Sequence, residues 1–239
     1  MAFEAVVFDL FYTLVHPGEY PGGGDRAGWL ARRLGLSESA LEARWAAFEA
    51  ELESGAAHAE APELTWLSTA YRQLTGRPIE PHLLDSVERD WDLTRRQALL
   101  DPPQATVDTL GALRGDGLKV GVLSNTHALE SRSWARSPFA RLVDASVFSH
   151  EIGVMKPDAA AYAAILDRLG VPPGRCVYVG DGAGDELAGA RRVGFAVIVL
   201  AAEAPTKLAP DQLPALEAQA DIVIPDLTLL PSVLAKATP

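Results

Sequence analysis

Along the chain, apolar positions fall into two textures. Residues 5–8 form a short β-branched and aromatic run without polar alternation, the pattern of a strand buried on both faces. Similar runs recur at 118–125 (LKVGVLSN), 145–149, 175–181 (RCVYVGD) and 195–200 (FAVIVL), with a weaker one at 221–224. Helical periodicity fills the gaps. Val107, Leu110 and Leu113 share one face before Gly115 and Gly117 release the chain, and further helices are predicted over 158–169 and 185–193. Strands alternating with helices at these spacings predict an α/β fold built on a doubly wound parallel sheet.

Between the first strand and this series lies a different texture. After Val15 a turn-rich HPGEYPGGG stretch leads into helices alone, from Asp25 to about Arg96. Trp29, Leu30 and Leu34 run to a stop at Gly35, and Ser37 caps a second helix carrying Leu41, Trp45 and Phe48. Leu67, Tyr71 and Leu74 stop at Gly76, and Leu83, Leu84, Val87 and Trp91 form a fourth stripe. The expected organisation is therefore a core of residues 1–15 and 98–239 with an inserted helical domain over 16–97. Gly22, Gly24 and Ala27 match a GxGxxA spacing, but they follow a loop instead of a strand, so the match carries no dinucleotide site.

Composition narrows the function classes. At 239 residues, 48% hydrophobic and 22% charged, the chain has the make-up of an ordinary globule. A net charge of −11 with no basic block argues against nucleic acid and anionic membranes as partners. The single Cys176 forbids an internal disulfide and suits a reducing cytoplasm. The start has neither the basic nor the apolar region of a signal peptide, and no apolar run reaches spanning length, so a cytoplasmic protein is expected. No His/Cys cluster suggests zinc and no GxxxxGK loop suggests a nucleoside triphosphatase.

The predicted strands end in chemistry. The first gives Asp9 and the second gives Ser124 and Asn125; a loop after the third gives Lys156 in GVMKPD; the fourth gives Asp181, with Asp185 and Glu186 just beyond. In a parallel sheet these groups collect at one edge, at the switch in strand order. Singly, each has a plainer role: Asp9 binding loop amides, Ser124 capping a helix, Lys156 on a surface loop, Gly180-Asp181-Gly182 making a tight turn. Together they offer a carboxylate nucleophile, a hydroxyl donor, a fixed cation and metal-binding acids, a set suited to attack on an anionic centre.

In this order, FDLFYTL, LSN, the Lys-Pro of GVMKPD and GDGAGDE resemble the four motifs of the haloacid dehalogenase-like hydrolase superfamily, over nearly the whole chain. The helical insertion sits where that family carries a type 1 cap. The resemblance implies that Asp9 is a nucleophile forming an aspartyl ester, and that Ser124, Asn125 and Lys156 bind an anionic small-molecule substrate. It further implies Mg²⁺ held by Asp9, the backbone carbonyl of Phe11, Asp181, and either Asp185 or Glu186, since the family uses both spacings.

One position departs from the phosphatases of that family. Two residues after the nucleophile they carry a second Asp, which protonates the leaving alkoxide; here the residue is Phe11. A general acid contributes about 10²–10⁴ in rate, and Tyr12 and His16 are the nearest substitutes in sequence. Dehalogenases of the family also lack the second acid, because halide departs without a proton, but they need no metal and carry Ser where this chain has Asp181. The expected function is a Mg²⁺-dependent phosphatase of a small phosphorylated metabolite. The alternatives are a 2-haloacid dehalogenase or related carbon-centred hydrolase, and a non-catalytic binding protein on the same scaffold. Arg26, Arg32 and Arg95 are the candidates for substrate contact from the helical side; His127, directly after LSN, is a further candidate at the crevice, with a helix start as its plainer role.

Overall fold

In the computed structural model, which describes residues 3–53 and 62–237, strand β1 (Ala5–Phe8) is followed by five helices: α1 (Arg26–Leu34), α2 (Glu38–Glu53), α3 (Pro62–Thr75), α4 (Pro81–Trp91) and α5 (Leu93–Leu100). The α/β series then runs α6 (Gln104–Gly115), β2 (Lys119–Ser124), α7 (Ala128–Ser131), β3 (Ala145–Phe148), α8 (Ser149–Ile152), α9 (Ala159–Leu169) and β4 (Cys176–Gly180). It closes with α10 (Glu186–Val193), β5 (Val197–Ala201), α11 (Glu203–Leu208), α12 (Leu213–Glu217), β6 (Ile222–Ile224) and α13 (Leu230–Lys236).

The six strands form one parallel sheet in the order β3-β2-β1-β4-β5-β6. β1 lies inside it, with Val7 paired to Gly121 on one side and Tyr178 on the other. Alternate strand residues feed two apolar layers. Val6, Phe8, Val122, Val177 and Val179 pack with Leu110 and Leu113 of α6 and Leu230 and Leu234 of α13. Ala5, Val7, Leu123, Tyr178 and Ile198 pack with Ile165 and Leu169 of α9 and Leu187 and Ala190 of α10. The strands therefore read as unbroken apolar runs because both faces are covered. Chain order reverses about β1, so the carboxyl ends of β1 and β4 flank the switch point.

At the opposite edge two acids tie down the strand starts. Asp144 accepts a 2.8 Å bond from Val120 N and pairs with Arg114 at 2.8 Å. Asp221 repeats the device on Ile198 N, again at 2.8 Å, and pairs with Arg191 at 2.9 Å.

The chain divides into two compact units. One comprises 1–17, 98–126 and 133–239; the other comprises 18–97 together with 127–132. The second unit is helical: Asp25 caps α1 through Gly28 N, and Gly35 ends it at φ 66°, the stop that the sequence predicts there. Trp29, Leu30, Leu41, Leu67, Val87 and Trp91 form its core, and the Tyr20 hydroxyl donates to the Trp91 carbonyl at 2.5 Å.

Residues 127–132 were expected in the α/β core. They belong instead to the helical unit, because α7 is bound there by charge. Arg132 forms a fork with fully buried Asp92, both bonds 2.7 Å, and also reaches the carbonyls of Glu88 and Arg89. Arg96 reaches the same carboxylate at 2.7 Å. Among the described residues no helix is long and apolar enough to cross a membrane.

Candidate active site

At Asp9 the backbone N–H is still on the sheet, donating to Val179 O at 2.9 Å, so β1 carries the carboxylate to its very end. The chain then turns tightly. Leu14 N and Val15 N both return to Leu10 O, Phe11 bridges to Val15, and Tyr12 is left at φ 69° with its N–H on Val15 O. A non-glycine residue there stores about 1–3 kcal/mol of strain. The Phe11 ring packs against the core layer that holds Phe8 and Leu10.

Lys156 meets Asp9 from the loop before α9. Its Nζ donates to Asp9 Oδ1 at 2.6 Å, to Glu186 Oε2 at 2.6 Å and to the Tyr178 hydroxyl at 3.2 Å. The backbone of Lys156 is itself clasped by Asn125, whose Nδ2 donates to the Lys156 carbonyl and whose Oδ1 accepts from its N–H, both at 2.8 Å. Asn125, expected at the substrate, thus spends its amide on the peptide that carries the lysine.

Ser124, at the end of β2, is buried, and among the described residues its hydroxyl makes no hydrogen bond; the same holds for Thr13. An unmet buried hydroxyl costs about 1–3 kcal/mol, which suits a group kept for something that is not part of the chain.

Past β4 come the acids. One carboxylate oxygen from each of Asp9, Asp181 and Glu186 lies within 4.8 Å of the others. Of the two residues left open by the motif spacing, Glu186 is buried in this cluster, whereas Asp185 is exposed at φ 57° and takes no part. Glu186 is held from several sides: Gly182 N donates to Oε1 at 3.0 Å, Tyr178 donates to Oε2 at 2.7 Å, and Tyr162 donates to its backbone carbonyl at 2.8 Å. A side chain at Gly180 would collide with the Glu186 carboxylate, which fixes that position as glycine. Tyr162, Tyr178 and Thr13 escape a motif reading; for the two tyrosines the available signal was a hydroxyl in the middle of a fully buried helix or strand, whereas Thr13 lies in the turn after β1.

Three carboxylates against one ammonium leave two negative charges in a buried space. Burial pushes Asp9 up to about 6, helped by the Glu186 charge and opposed by Lys156. Burial likewise pushes Asp181 up to about 7, helped by Glu186 and Asp9. For Lys156 burial works against the charge, but the two carboxylates outweigh it and hold the ammonium protonated above its ordinary range. Oxygen donors with surplus negative charge are the chemistry of a hard divalent cation, so the residues present fit Mg²⁺. Asp9 is then a buried carboxylate gathered with two further acids and one ammonium, an arrangement able to attack an anionic centre and spread its charge.

His16, a possible proton donor in sequence, lies half-buried with Nε2 3.6 Å from Glu203 Oε2; burial lowers its pKa more than that acid raises it. Inside the helical unit Arg26 and Arg95 both reach Glu130 Oε1, Arg26 lies over the Trp45 ring, and His127 stands 3.6 Å from buried Glu63. Burial, with Glu130 adding to it, raises the Glu63 carboxyl above its ordinary range. Arg26, Arg95 and His127 are thus gathered around two acids that the sequence did not single out. Arg32 is elsewhere, on the carbonyls of Pro21 and Gly23.

A family model described as haloacid dehalogenase-like hydrolase matches residues 3–194. The chain belongs to the haloacid dehalogenase-like hydrolases. It is 35% identical to Phosphatase MT3486 of Mycobacterium tuberculosis, over 82% of this chain and 86% of that one. It is 32% identical to a glyceraldehyde 3-phosphate phosphatase of Methanothermobacter thermautotrophicus over 44% of this chain, spanning about half of that relative (47%). Among solved structures, a 2-haloacid dehalogenase from Pseudomonas syringae pv. Tomato superposes with a TM-score of 0.68 at 24% identity, covering 99% of this chain and 100% of that one, a likeness of fold alone. The strand order is that of this family's Rossmann-like parallel sheet.

Proposed function

We propose that this hydrolase is a Mg²⁺-dependent phosphatase of a small, anionic phosphorylated metabolite, acting through an aspartyl-phosphate on Asp9. The observation that carries the reading is the convergence of Asp9, Asp181 and Glu186 oxygens within 4.8 Å, a set that a halide-displacing enzyme does not need. These three, with the Phe11 carbonyl, would hold the cation, and when bound it would neutralise charge on the phosphoryl oxygens.

The protein's own residues do the rest. The Asp9 carboxylate attacks phosphorus, and the bond to the leaving oxygen breaks. Ser124 donates its unmet hydroxyl to a phosphoryl oxygen. Lys156 steadies the negative charge and keeps Asp9 ionised. Asn125 keeps the Lys156 peptide in register. Water then attacks the aspartyl-phosphate, returning Asp9 as a carboxylate and releasing inorganic phosphate. Because Phe11 donates no proton, the favoured substrates are those whose leaving group departs as a stable anion, acyl phosphates foremost.

The helical unit takes the part of this family's cap, with substrate choice as its task. A lone buried Cys176, its thiol pushed up to about 12 chiefly by burial, supports a cytoplasmic enzyme. The same Phe11 favours a second reading, displacement of halide from a 2-haloacid by Asp9.

The test is phosphate release from acetyl phosphate and p-nitrophenyl phosphate, expected to need Mg²⁺ and to vanish in Asp9→Asn. Chloride release from 2-chloropropionate that EDTA leaves untouched, with no phosphate release, would establish the second reading instead.

A further inference from the structure

Tyr178 stands in the interior of β4, fully buried, between Val7 of β1 and Ile198 of β5. Its ring is held edge-on by Tyr162 and Phe195, with centroids 5.7 and 5.6 Å away. Those contacts explain an aromatic residue there, and a phenylalanine would satisfy them. They do not explain the hydroxyl. Burying a phenolic O–H costs free energy unless it is bonded, and this one is bonded twice within the acid cluster: it donates to Glu186 Oε2 at 2.7 Å and accepts from Lys156 Nζ at 3.2 Å.

The two oxygens of Glu186 are thereby assigned separate partners. Oε1 accepts from Gly182 N at 3.0 Å, and Oε2 takes both Lys156 at 2.6 Å and Tyr178 at 2.7 Å. Lys156 has Asp9 to serve as well. Burial, with Glu186 and Asp9 adding to it, raises the Tyr178 phenol well above its ordinary range, so it remains a donor. Without that hydroxyl, Oε2 would depend on the lysine alone, and the plane of the carboxylate would be free to turn about its bond to Gly182.

We propose that Tyr178 is a positioning residue for the divalent-cation site: its hydroxyl sets the plane of the Glu186 carboxylate, and so the site's affinity for the ion. The inference rests on the metal-binding reading above and adds a residue outside the motifs. Groups that orient a metal ligand are typically worth about 10–100-fold in affinity.

Tyr162 supplies the control. Its hydroxyl touches the same glutamate, but on the backbone carbonyl, at 2.8 Å. Tyr178→Phe and Tyr162→Phe each delete one oxygen from a buried ring, so a purely structural role would lower the melting temperature of both and the metal affinity of neither. Binding of Mg²⁺ and Mn²⁺ to the full-length protein without substrate, followed by isothermal titration calorimetry, is expected to weaken at least tenfold in Tyr178→Phe and less than threefold in Tyr162→Phe. Equal affinity in Tyr178→Phe and the unaltered protein would overturn the assignment and leave the metal reading standing. Failure of the unaltered protein to bind either ion would overturn both.

Discussion

The Nζ of Lys156 lies 2.6 Å from Oδ1 of Asp9, joining residues 147 positions apart in sequence, and both side chains are buried. The same ammonium serves Glu186, so removing it leaves two acids facing each other. Lys156→Met keeps the length of the side chain and removes the charge. Breaking a buried pair costs about 3–5 kcal/mol, and turnover should fall at least about 100-fold. The loss of stability should shrink between pH 8 and pH 5, since the orphaned carboxyls then take up protons. Urea unfolding at both pH values checks this, and an equal loss at each would sink it.

Glu186 and Asp185 are neighbours in sequence with opposite environments, one in the cluster and the other exposed. Glu186→Gln is expected to weaken Mg²⁺ binding by about 10–100-fold. Asp185→Asn should leave it within about twofold, since that carboxylate contributes only distant, solvent-screened charge. Calorimetric titration of the two variants decides, and comparable losses would mean that the exposed residue had been misjudged.

Phe11→Asp puts a proton donor where the phosphatases of this family carry one. Turnover of an alkyl phosphate such as glycerol phosphate is expected to rise by about 100-fold, while that of acetyl phosphate changes little, because only the alkoxide needs protonation to leave. The ratio of the two kcat/KM values is the readout. A uniform change in both would show that leaving-group protonation is not what limits the native enzyme.

The raised carboxyls give metal binding a pH dependence of definite sign. Asp9 and Asp181 sit at about 6 and about 7, against 3.8 for an ordinary Asp, so the folded chain holds protons that the unfolded chain releases earlier. Their contribution to metal-free stability is complete below pH 3.8 and is lost as pH rises through 6 and 7. A divalent ion must displace those same protons and binds more tightly once they are gone. Excess Mg²⁺ should therefore raise the melting temperature more at pH 8 than at pH 5. Thermal unfolding with and without the ion tests this, and a larger shift at pH 5 would refute it.

Much of this was legible in the sequence. Strands buried on both faces announce themselves as apolar runs, and Asp9 and Asp181, which follow β1 and β4, lie together because a parallel sheet gathers its carboxyl ends. Gly35 ended α1 as its residue type predicts.

What the sequence hid were relations across space. The GDGAGDE spacing allowed two acids, and the choice between them lies in the contacts that Glu186 makes with Lys156, Tyr178 and Gly182, residues that the spacing does not show. The hydroxyls of Tyr162 and Tyr178 look like core aromatics until Glu186 is beside them. Residues 127–132 carry no pattern of their own; Asp92, Glu130 and their arginines, together with Leu129 in the helical core and His127 beside Glu63, tie them to the helical unit. Helices α11, α12 and α13 were missed because each is under eight residues, too short for a periodic stripe to emerge.

Asp144 and Asp221 anchor strands at the edge of the sheet remote from Asp9 and Asp181, with each acid answering one backbone amide and one arginine. Acids at one rim hold the scaffold, and acids at the other are kept electrically unsettled. Drift in sequence at the reactive rim can therefore retune which bond is broken while the architecture endures, and a designer seeking robustness has the far rim to work on with the chemistry left alone.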